Sequence, residues 1–120
     1  MNTNNPVTQL CMAGTRAEFE HRIYNARVLY RQAWDARSND YEACIAAHYV
    51  ARFQDSVEES LHWNQIALEH ANAVNDERVK DFYPSLYLAL GRSYEAAGNQ
   101  AEAQMYYELA AKVGVIHQPD

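Results

Sequence analysis

The last third of the chain has a hydrophobic pattern that predicts an amphipathic helix. Four of its residues follow one another at steps of three, one and three, which places them on one face of a helix. They are Tyr87, Leu90, Gly91 and Tyr94. Gly98 follows, and glycine suits the left-handed conformation in which many helices end. The pattern therefore predicts a helix that ends close to Gly98.

A second amphipathic helix is predicted directly after this glycine. Asn99 and Glu102 are a capping pair that can satisfy amide donors left free in a first helical turn. An apolar stripe with spacings of four and three then follows: Ala103, Tyr107 and Ala110. Because the turn between the two helices is short, we expect them to pack antiparallel, with the small residues letting the backbones approach.

This segment, residues 84–117, closely resembles a tetratricopeptide repeat (TPR), a helical pair of roughly 34 residues. The family pattern has an aromatic residue, Leu-Gly and Tyr, and then Ala, an aromatic residue and Ala. Here Tyr87 stands in place of tryptophan, Tyr107 in place of phenylalanine, and Val115 in place of the closing proline. The resemblance implies a small bacterial-type TPR-like protein that binds a protein or peptide partner on its concave face.

The same pattern recurs near the start of the chain. Shifting the window back by 77 positions places Gly91 on Gly14. The stripe of the second helix then falls on Ala26, Tyr30 and Ala33. Residues 7–40 are therefore predicted to be a degenerate copy of the same unit.

The helices of this first unit can be bounded from its sequence. After an expected frayed tail at residues 1–5, Pro6 suits the first turn of a helix that runs to about Glu20. A second helix is expected from about Ile23 to Arg37.

The middle unit, residues 41–74, carries equally clear helix signals. One helix is expected from about Asp40 to Phe53. Ser56 with Glu59 forms a capping box for a second helix that ends near residue 74.

The inner stripe of this middle unit is polar. His48, Ser60 and Asn64 stand where the pattern has Gly, Ala and an aromatic residue. A one-residue slip in the turn would instead direct Ala47 and Val50 inward. The sequence leaves both registers open.

Residues 75–83 are an insertion relative to the repeat. Asp76 can cap a helix there, and Pro84 cannot donate a backbone hydrogen bond. We expect one helix over residues 76–97, bent near Pro84; a clean break is the alternative.

Together these units predict an all-α protein of one domain, residues 1–120. Its three antiparallel helix pairs would stack as a short right-handed TPR-like superhelix, an α-solenoid. Such arrays normally end in a polar capping helix, and we expect none after the last helix pair of this sequence. The apolar residues of the last helix would then be covered either by the tail folding back or by another copy of the chain. We predict a homodimer with this interface: Met105, Tyr106, Leu109, Val113 and Ile116.

The charge and cysteine content limit the partners and the compartment. The net charge is −6 and the pI is about 5.3, so nucleic acid and anionic membranes are not expected partners. No apolar run approaches the length of a membrane span, and the polar N-terminus lacks the features of a signal peptide. Cys11 and Cys44 lie far apart in the sequence, and we expect both to be small buried hydrophobic residues. A reduced, cytoplasmic compartment is therefore expected.

The first helix of each pair would form the concave face. By helical phase that face should present aromatic residues together with two arginines, a combination that suits an extended acidic or aromatic peptide. A solvated inner face is the alternative. The residues are Thr15, Phe19, Ile45, Tyr49, Arg52, Phe53, Leu88, Arg92 and Glu95.

The polar residues of the middle unit are a second candidate site. They would form either a hydrogen-bond set that fixes the register or a small pocket for a ligand or a peptide side chain. The residues are His48, Ser60, Trp63 and Asn64.

Nothing in the sequence favours an enzyme. No catalytic motif or nucleotide-binding motif appears, and no cofactor is expected. Glu18 with His21, and Glu59 with His62, have a spacing used in di-iron bundles, where two further glutamates would have to face them. We expect no metal, because His21 falls in a predicted turn and His62 lies on the far side of its helix. The sequence predicts a non-enzymatic interaction module; the alternative is a small-ligand-sensing regulatory protein.

Overall fold

Between residues 4 and 117, the computed structural model contains seven α-helices and no strand; side chains are described through residue 114. A 3₁₀ turn, Ala51–Phe53, directly follows the third helix. The helices are α1 (Pro6–Phe19), α2 (Ile23–Asp35), α3 (Asp40–Val50), α4 (Val57–Val74), α5 (Glu77–Lys80), α6 (Tyr83–Ala96) and α7 (Gln100–His117). The predicted all-helical class is confirmed for these residues.

Polar caps start several of these helices. Asn39, Ser56 and Asn99 each accept a hydrogen bond from the backbone N–H three residues later, at 2.8, 3.1 and 3.2 Å. Gly98 has a φ of +86°, a left-handed conformation that glycine adopts at little cost. The predicted caps at Ser56 and Asn99 and the helix end at Gly98 are confirmed.

The prediction of a frayed tail through residue 5 is wrong at Asn5. This residue caps α1, and its Nδ2 also donates to Glu42 Oε2 at 2.7 Å. Ser38 donates to the other carboxylate oxygen from its backbone N–H at 2.8 Å and from its hydroxyl at 2.9 Å. Burial alone would raise the pKa of Glu42, but these hydrogen bonds outweigh it and the pKa is lowered. Glu42 therefore ties the start of α1 to the start of α3.

The helices pack as three consecutive pairs: α1 with α2, α3 with α4, and α6 with α7. α3 lies at the centre, because it also packs against α1 and α2. As a result Ala47 and Val50, the two residues that the slipped register would direct inward, are both buried. Cys11 and Cys44 are buried free thiols, and burial raises the pKa of each to about 12.

The first and last helix pairs share one packing feature, a tyrosine ring that lies over a glycine. The ring of Tyr30 covers Gly14 so closely that a Cβ on the glycine would lie 2.3 Å from Cε1 of the tyrosine. Tyr107 covers Gly91 in the same way, at 2.6 Å. We call each of these a Gly–Tyr contact, and the two are 77 positions apart, as the sequence pattern predicts.

Each tyrosine hydroxyl is also held by a glutamate. Tyr30 donates to Glu18, and Tyr107 donates to Glu95 at 2.8 Å. The two glutamates are again 77 positions apart. The first and last pairs are therefore built alike in their hydrogen bonding as well as in their packing.

The predicted single helix over residues 76–97 is wrong, because the helix breaks at residues 81–82. Phe82 N donates to Val79 O at 2.9 Å, a tight turn that ends α5. Pro84 then lies in the first turn of α6, where backbone N–H groups have no partner within the helix. The lack of an N–H on proline therefore costs no helical hydrogen bond there. The alternative, a clean break, is the one observed.

The insertion also spaces the helix pairs. Val79 is buried, and the Phe82 ring lies against Tyr41 of α3, with ring centroids 6.2 Å apart. Beyond this point α6 packs on α4 and has little contact with α3, whereas α1 packs on α3 directly. A gap is therefore left between the C-terminal part of α3 and α6.

Candidate functional site

An open cleft of about 560 Å³ occupies this gap between α3, α4 and α6. We call it the arginine cleft, because both of its charged side chains are arginines. It is lined by His48, Ala51, Arg52, Phe53, Ser60, Asn64, Ser85, Leu88, Ala89, Arg92 and Ser93.

The arginine cleft brings together residues from both predicted sites. Four come from the predicted concave face: Arg52, Phe53, Leu88 and Arg92. Three come from the predicted polar pocket: His48, Ser60 and Asn64. The predicted polar pocket therefore shares one cleft with part of the predicted concave face.

The electrostatics of the cleft are opposite to those of the whole chain. Among the described residues that line it, none is Asp or Glu, and two are Arg. The chain as a whole has a net charge of −6. The cleft thus offers positive charge and neutral hydrogen-bonding groups, a combination that suits an anionic group.

Arg52 joins the cleft to the first helix pair. Its Nη2 lies 2.8 Å from Glu18 Oε1, and its Nε lies 3.2 Å from Glu18 Oε2. This two-point contact raises the pKa of Arg52. Because Glu18 also accepts the Tyr30 hydroxyl, the position of Arg52 is set by the Gly–Tyr contact of the first pair.

Arg92 is placed differently from Arg52. It is exposed on α6, and no carboxylate among residues 4–117 forms an ion pair with it. A guanidinium has five N–H donors that can bind a carboxylate in a two-point geometry. Arg92 is therefore the cleft residue most available to an anion.

The inner end of the cleft is built from hydrogen-bonded polar side chains. Asn64 Nδ2 donates to Ser93 Oγ at 2.9 Å, and Ser60 Oγ donates to the Ala51 carbonyl at 2.8 Å. Burial, together with the nearby charge of Arg52, lowers the pKa of His48 to about 4. His48 is therefore neutral near pH 7.

Two atoms at this inner end have no hydrogen-bond partner within the described chain. They are His48 Nδ1 and Asn64 Oδ1, both buried. Buried polar atoms are nearly always paired in folded proteins, because an unpaired one loses its hydration without compensation. Both residues line the cleft, so the unsatisfied hydrogen-bonding capacity belongs to its walls.

No protein-family model, no curated protein and no solved structure matches this chain.

Other residues of the predicted concave face lie outside the cleft. Ile45 is only 2% exposed and belongs to the core, so its predicted place in a binding groove is wrong. Helical phase misplaced it because α3 is covered by α1 and α2 as well as by α4. Glu95 accepts the Tyr107 hydroxyl on the last pair.

Three further residues of that face line a separate N-terminal groove of about 500 Å³. They are Thr15, Phe19 and Tyr49. Phe19 is 87% exposed, while the Tyr49 ring stacks on Tyr30 with centroids 5.0 Å apart. The predicted concave face is therefore divided between two surfaces.

Trp63 does not line the arginine cleft, unlike the other members of the predicted polar pocket. Its ring meets Trp34 edge-on, with centroids 4.9 Å apart, and the guanidinium of Arg31 lies 5.3 Å from its centroid. It packs against the hydrophobic core.

Sequence reasoning missed several lining residues on α6. Ser85, Ala89 and Ser93 face the cleft at steps of four. This spacing is a helical signal, but the residues are small and carry no charge, so they did not stand out from a solvated helix.

The described residues of the predicted homodimer surface on α7 are only partly exposed. Met105 is 43% exposed, whereas Tyr106 stacks on Tyr94 with centroids 5.6 Å apart. Leu109 and Val113 are half-buried, and the Ile116 side chain lies outside the described residues. The homodimer stays a prediction that light scattering at micromolar concentration can check.

Neither a metal site nor a membrane-spanning helix is found within the described part of the chain. No group of three His, Cys, Asp or Glu side chains there is arranged to hold a metal ion. No helix between residues 4 and 117 is long and apolar enough to cross a bilayer.

Proposed function

We propose that this chain is a non-enzymatic protein-interaction module. In this proposal it is a short TPR-like superhelix that binds an acidic segment of a partner protein or peptide in the arginine cleft. The observation that carries the proposal is the cleft itself, which holds two arginines and no described carboxylate in a chain of net charge −6.

The two end pairs support the repeat architecture. Both use a glycine under a tyrosine ring and a glutamate on the tyrosine hydroxyl, at a constant offset of 77 positions. Repeats of one supersecondary unit that stack on their neighbours are the defining feature of helical-repeat proteins, which commonly bind partners on a concave surface.

The hydrogen bonds of the cleft favour binding over catalysis. A serine nucleophile needs a base within hydrogen-bond reach. Among the described residues, Ser60 Oγ donates to a backbone carbonyl, and Ser93 Oγ accepts a hydrogen bond from Asn64. His48 forms no hydrogen bond with either hydroxyl. The serines of the cleft therefore act as hydrogen-bonding groups in this proposal.

The test is a titration with a fluorescein-labelled peptide of alternating glycine and glutamate, followed by anisotropy. Replacing Arg92 by Gln should weaken binding about tenfold or more, because one charge-assisted hydrogen-bonded contact is lost. Arg22→Gln is the matched control, since it makes the same charge change at an exposed residue that pairs with Glu20. Equal affinities for Arg92→Gln and the unmodified chain would contradict the proposal.

A second candidate function is supported by a different observation. The unpaired atoms of His48 and Asn64 lie in residues that line the same cleft, as expected for a small-ligand-sensing regulatory protein. Such a protein should be thermally stabilised by some metabolite. An unchanged melting temperature across a broad metabolite panel would contradict this candidate.

A further inference from the structure

The inner end of the arginine cleft departs from the packing that the other two helix pairs share. Moving 34 positions along the chain from the first Gly–Tyr contact, Gly14 becomes His48 and Tyr30 becomes Asn64. An apolar contact has thus been replaced by two polar side chains in the middle pair. Places where a chain abandons its own packing rule are typically functional sites.

These two side chains are also the ones with unpaired atoms. Asn64 is only 4% exposed; its Nδ2 is bonded to Ser93, but its Oδ1 has no partner within residues 4–117. His48 Nδ1 is likewise buried and unpaired. No other buried side-chain nitrogen or oxygen of the described residues is left unpaired, and both atoms belong to residues that line the cleft.

The surroundings restrict the charge of a group that could satisfy these atoms. A cationic group is disfavoured, because the guanidinium groups of Arg52 and Arg92 line the same cleft and no described carboxylate does. A carboxylate is less suited to this end than a neutral group, because it brings no hydrogen to donate and its charge is costly to bury. The remaining choice is a neutral group that carries hydrogen-bond donors.

A primary carboxamide meets this requirement best. Its NH₂ offers two donors and its carbonyl oxygen offers an acceptor, so it can pair with Asn64 Oδ1 and with His48 in either neutral tautomer. In a polypeptide this group is the side chain of glutamine or asparagine.

We propose that the inner end of the cleft, formed by His48, Asn64 and Ser93, is a specificity subsite for the carboxamide side chain of a partner's Gln or Asn. The acidic residue that Arg92 binds would lie close by in the same partner segment. This inference rests on the proposed function, because it takes the ligand to be a peptide. It adds which neutral residue the cleft selects.

The probes are short peptides blocked by an acetyl group and an N-methylamide, so that glutamine supplies their only primary amide. Ac-Gln-Gly-Glu-NHMe is compared with the same peptide carrying Glu or Met in place of Gln. Each peptide is also made with the order of its two end residues reversed, and with zero, one or two glycines between them. Binding to the ¹⁵N-labelled chain is followed by NMR at the Asn64 side-chain amide and at Arg92 Nε. Free glutamine is titrated as a fourth probe.

The expected result is that the best glutamine peptide shifts both signals and binds about tenfold more tightly than its Glu and Met counterparts. Equal binding of all three, with shifts at Arg92 alone, would overturn the carboxamide subsite and leave the proposed function standing. Absence of any shift would overturn both. Free glutamine binding as tightly as the peptide would overturn the peptide as the ligand.

The variant Asn64→Leu separates a binding role from a structural one. It removes the unpaired oxygen but also takes the hydrogen-bond partner from Ser93 Oγ, so these two effects oppose each other and the melting temperature should change little. The variant should bind the three peptides alike. A lower melting temperature together with an unchanged preference for glutamine would assign Asn64 a structural role and overturn the proposal. The titration of the unmodified chain decides the question if the variant does not fold.

Discussion

Lowering the pH from about 7 to about 5 should destabilise this protein through the side chain of His48. Burial lowers the pKa of His48 to about 4 in the folded chain, whereas an ordinary histidine has a pKa of 6.5. Between these values the unfolded chain binds a proton that the folded chain does not. The free energy of unfolding therefore falls as the pH falls through this window, and the stability present above the unfolded pKa is lost.

The magnitude follows from the two pKa values. Integrating proton binding gives a loss of about 2 kcal/mol between about pH 7 and pH 5, and about 3 kcal/mol once the pH is well below 4. Glu42 does not interfere in the upper range, because its pKa is lowered from 4.5 and its contribution is lost only at lower pH. A loss of about 2 kcal/mol is a large part of the stability of a typical small domain.

The assay is urea unfolding followed by circular dichroism at several pH values, for the unmodified chain and for His48→Gln. The variant should lose about 2 kcal/mol less than the unmodified chain over the same range, because glutamine does not titrate. Each protein serves as its own reference at pH 7, so a general effect of the substitution cancels. Equal losses in the two proteins would refute the reasoning.

Two further predictions concern glycines and use the same unfolding assay. Gly14→Ala and Gly91→Ala should each lower the free energy of unfolding by about 1–3 kcal/mol, because the new Cβ would overlap a tyrosine ring. Gly114→Ala is the control, because its Cβ meets nothing within 4 Å; it should be neutral or stabilising by up to about 1 kcal/mol. If Gly14→Ala matches that control, the ring is free to move. Gly98→Ala should cost about 1 kcal/mol from its positive φ alone, since a Cβ there has open space, and an unchanged unfolding midpoint would count against this cause.

Local signals in the sequence predicted the helices well. Asn99 and Ser56 cap helices because their side-chain oxygens accept from backbone amides only three residues away. These hydrogen bonds are local, so they do not depend on tertiary contacts. The same is true of Gly98, whose conformation ends α6 locally. The break before Pro84 was harder, because a proline is equally compatible with a kink inside a helix and with a first turn.

The candidate site depended on contacts that periodicity does not contain. Helical phase assigned Ile45 to a binding surface, but the number of helices packed around α3 buries it. The sequence identified His48 and Asn64 as exceptions to the repeat pattern, yet it could not bring them to the same cleft as Arg92. That proximity depends on how α6 is placed, and α6 is placed by the insertion.

The insertion at residues 75–83 separates the width of the cleft from its chemistry. Val79 and Phe82 fix where α6 begins relative to α3, and neither of them lines the cleft. During divergence, a change in the length of this segment or in the Phe82–Tyr41 contact can widen or narrow the opening while every lining residue stays the same. The size of the opening and the chemistry of its lining are thus encoded in separate parts of the chain, and selection can adjust one without altering the other.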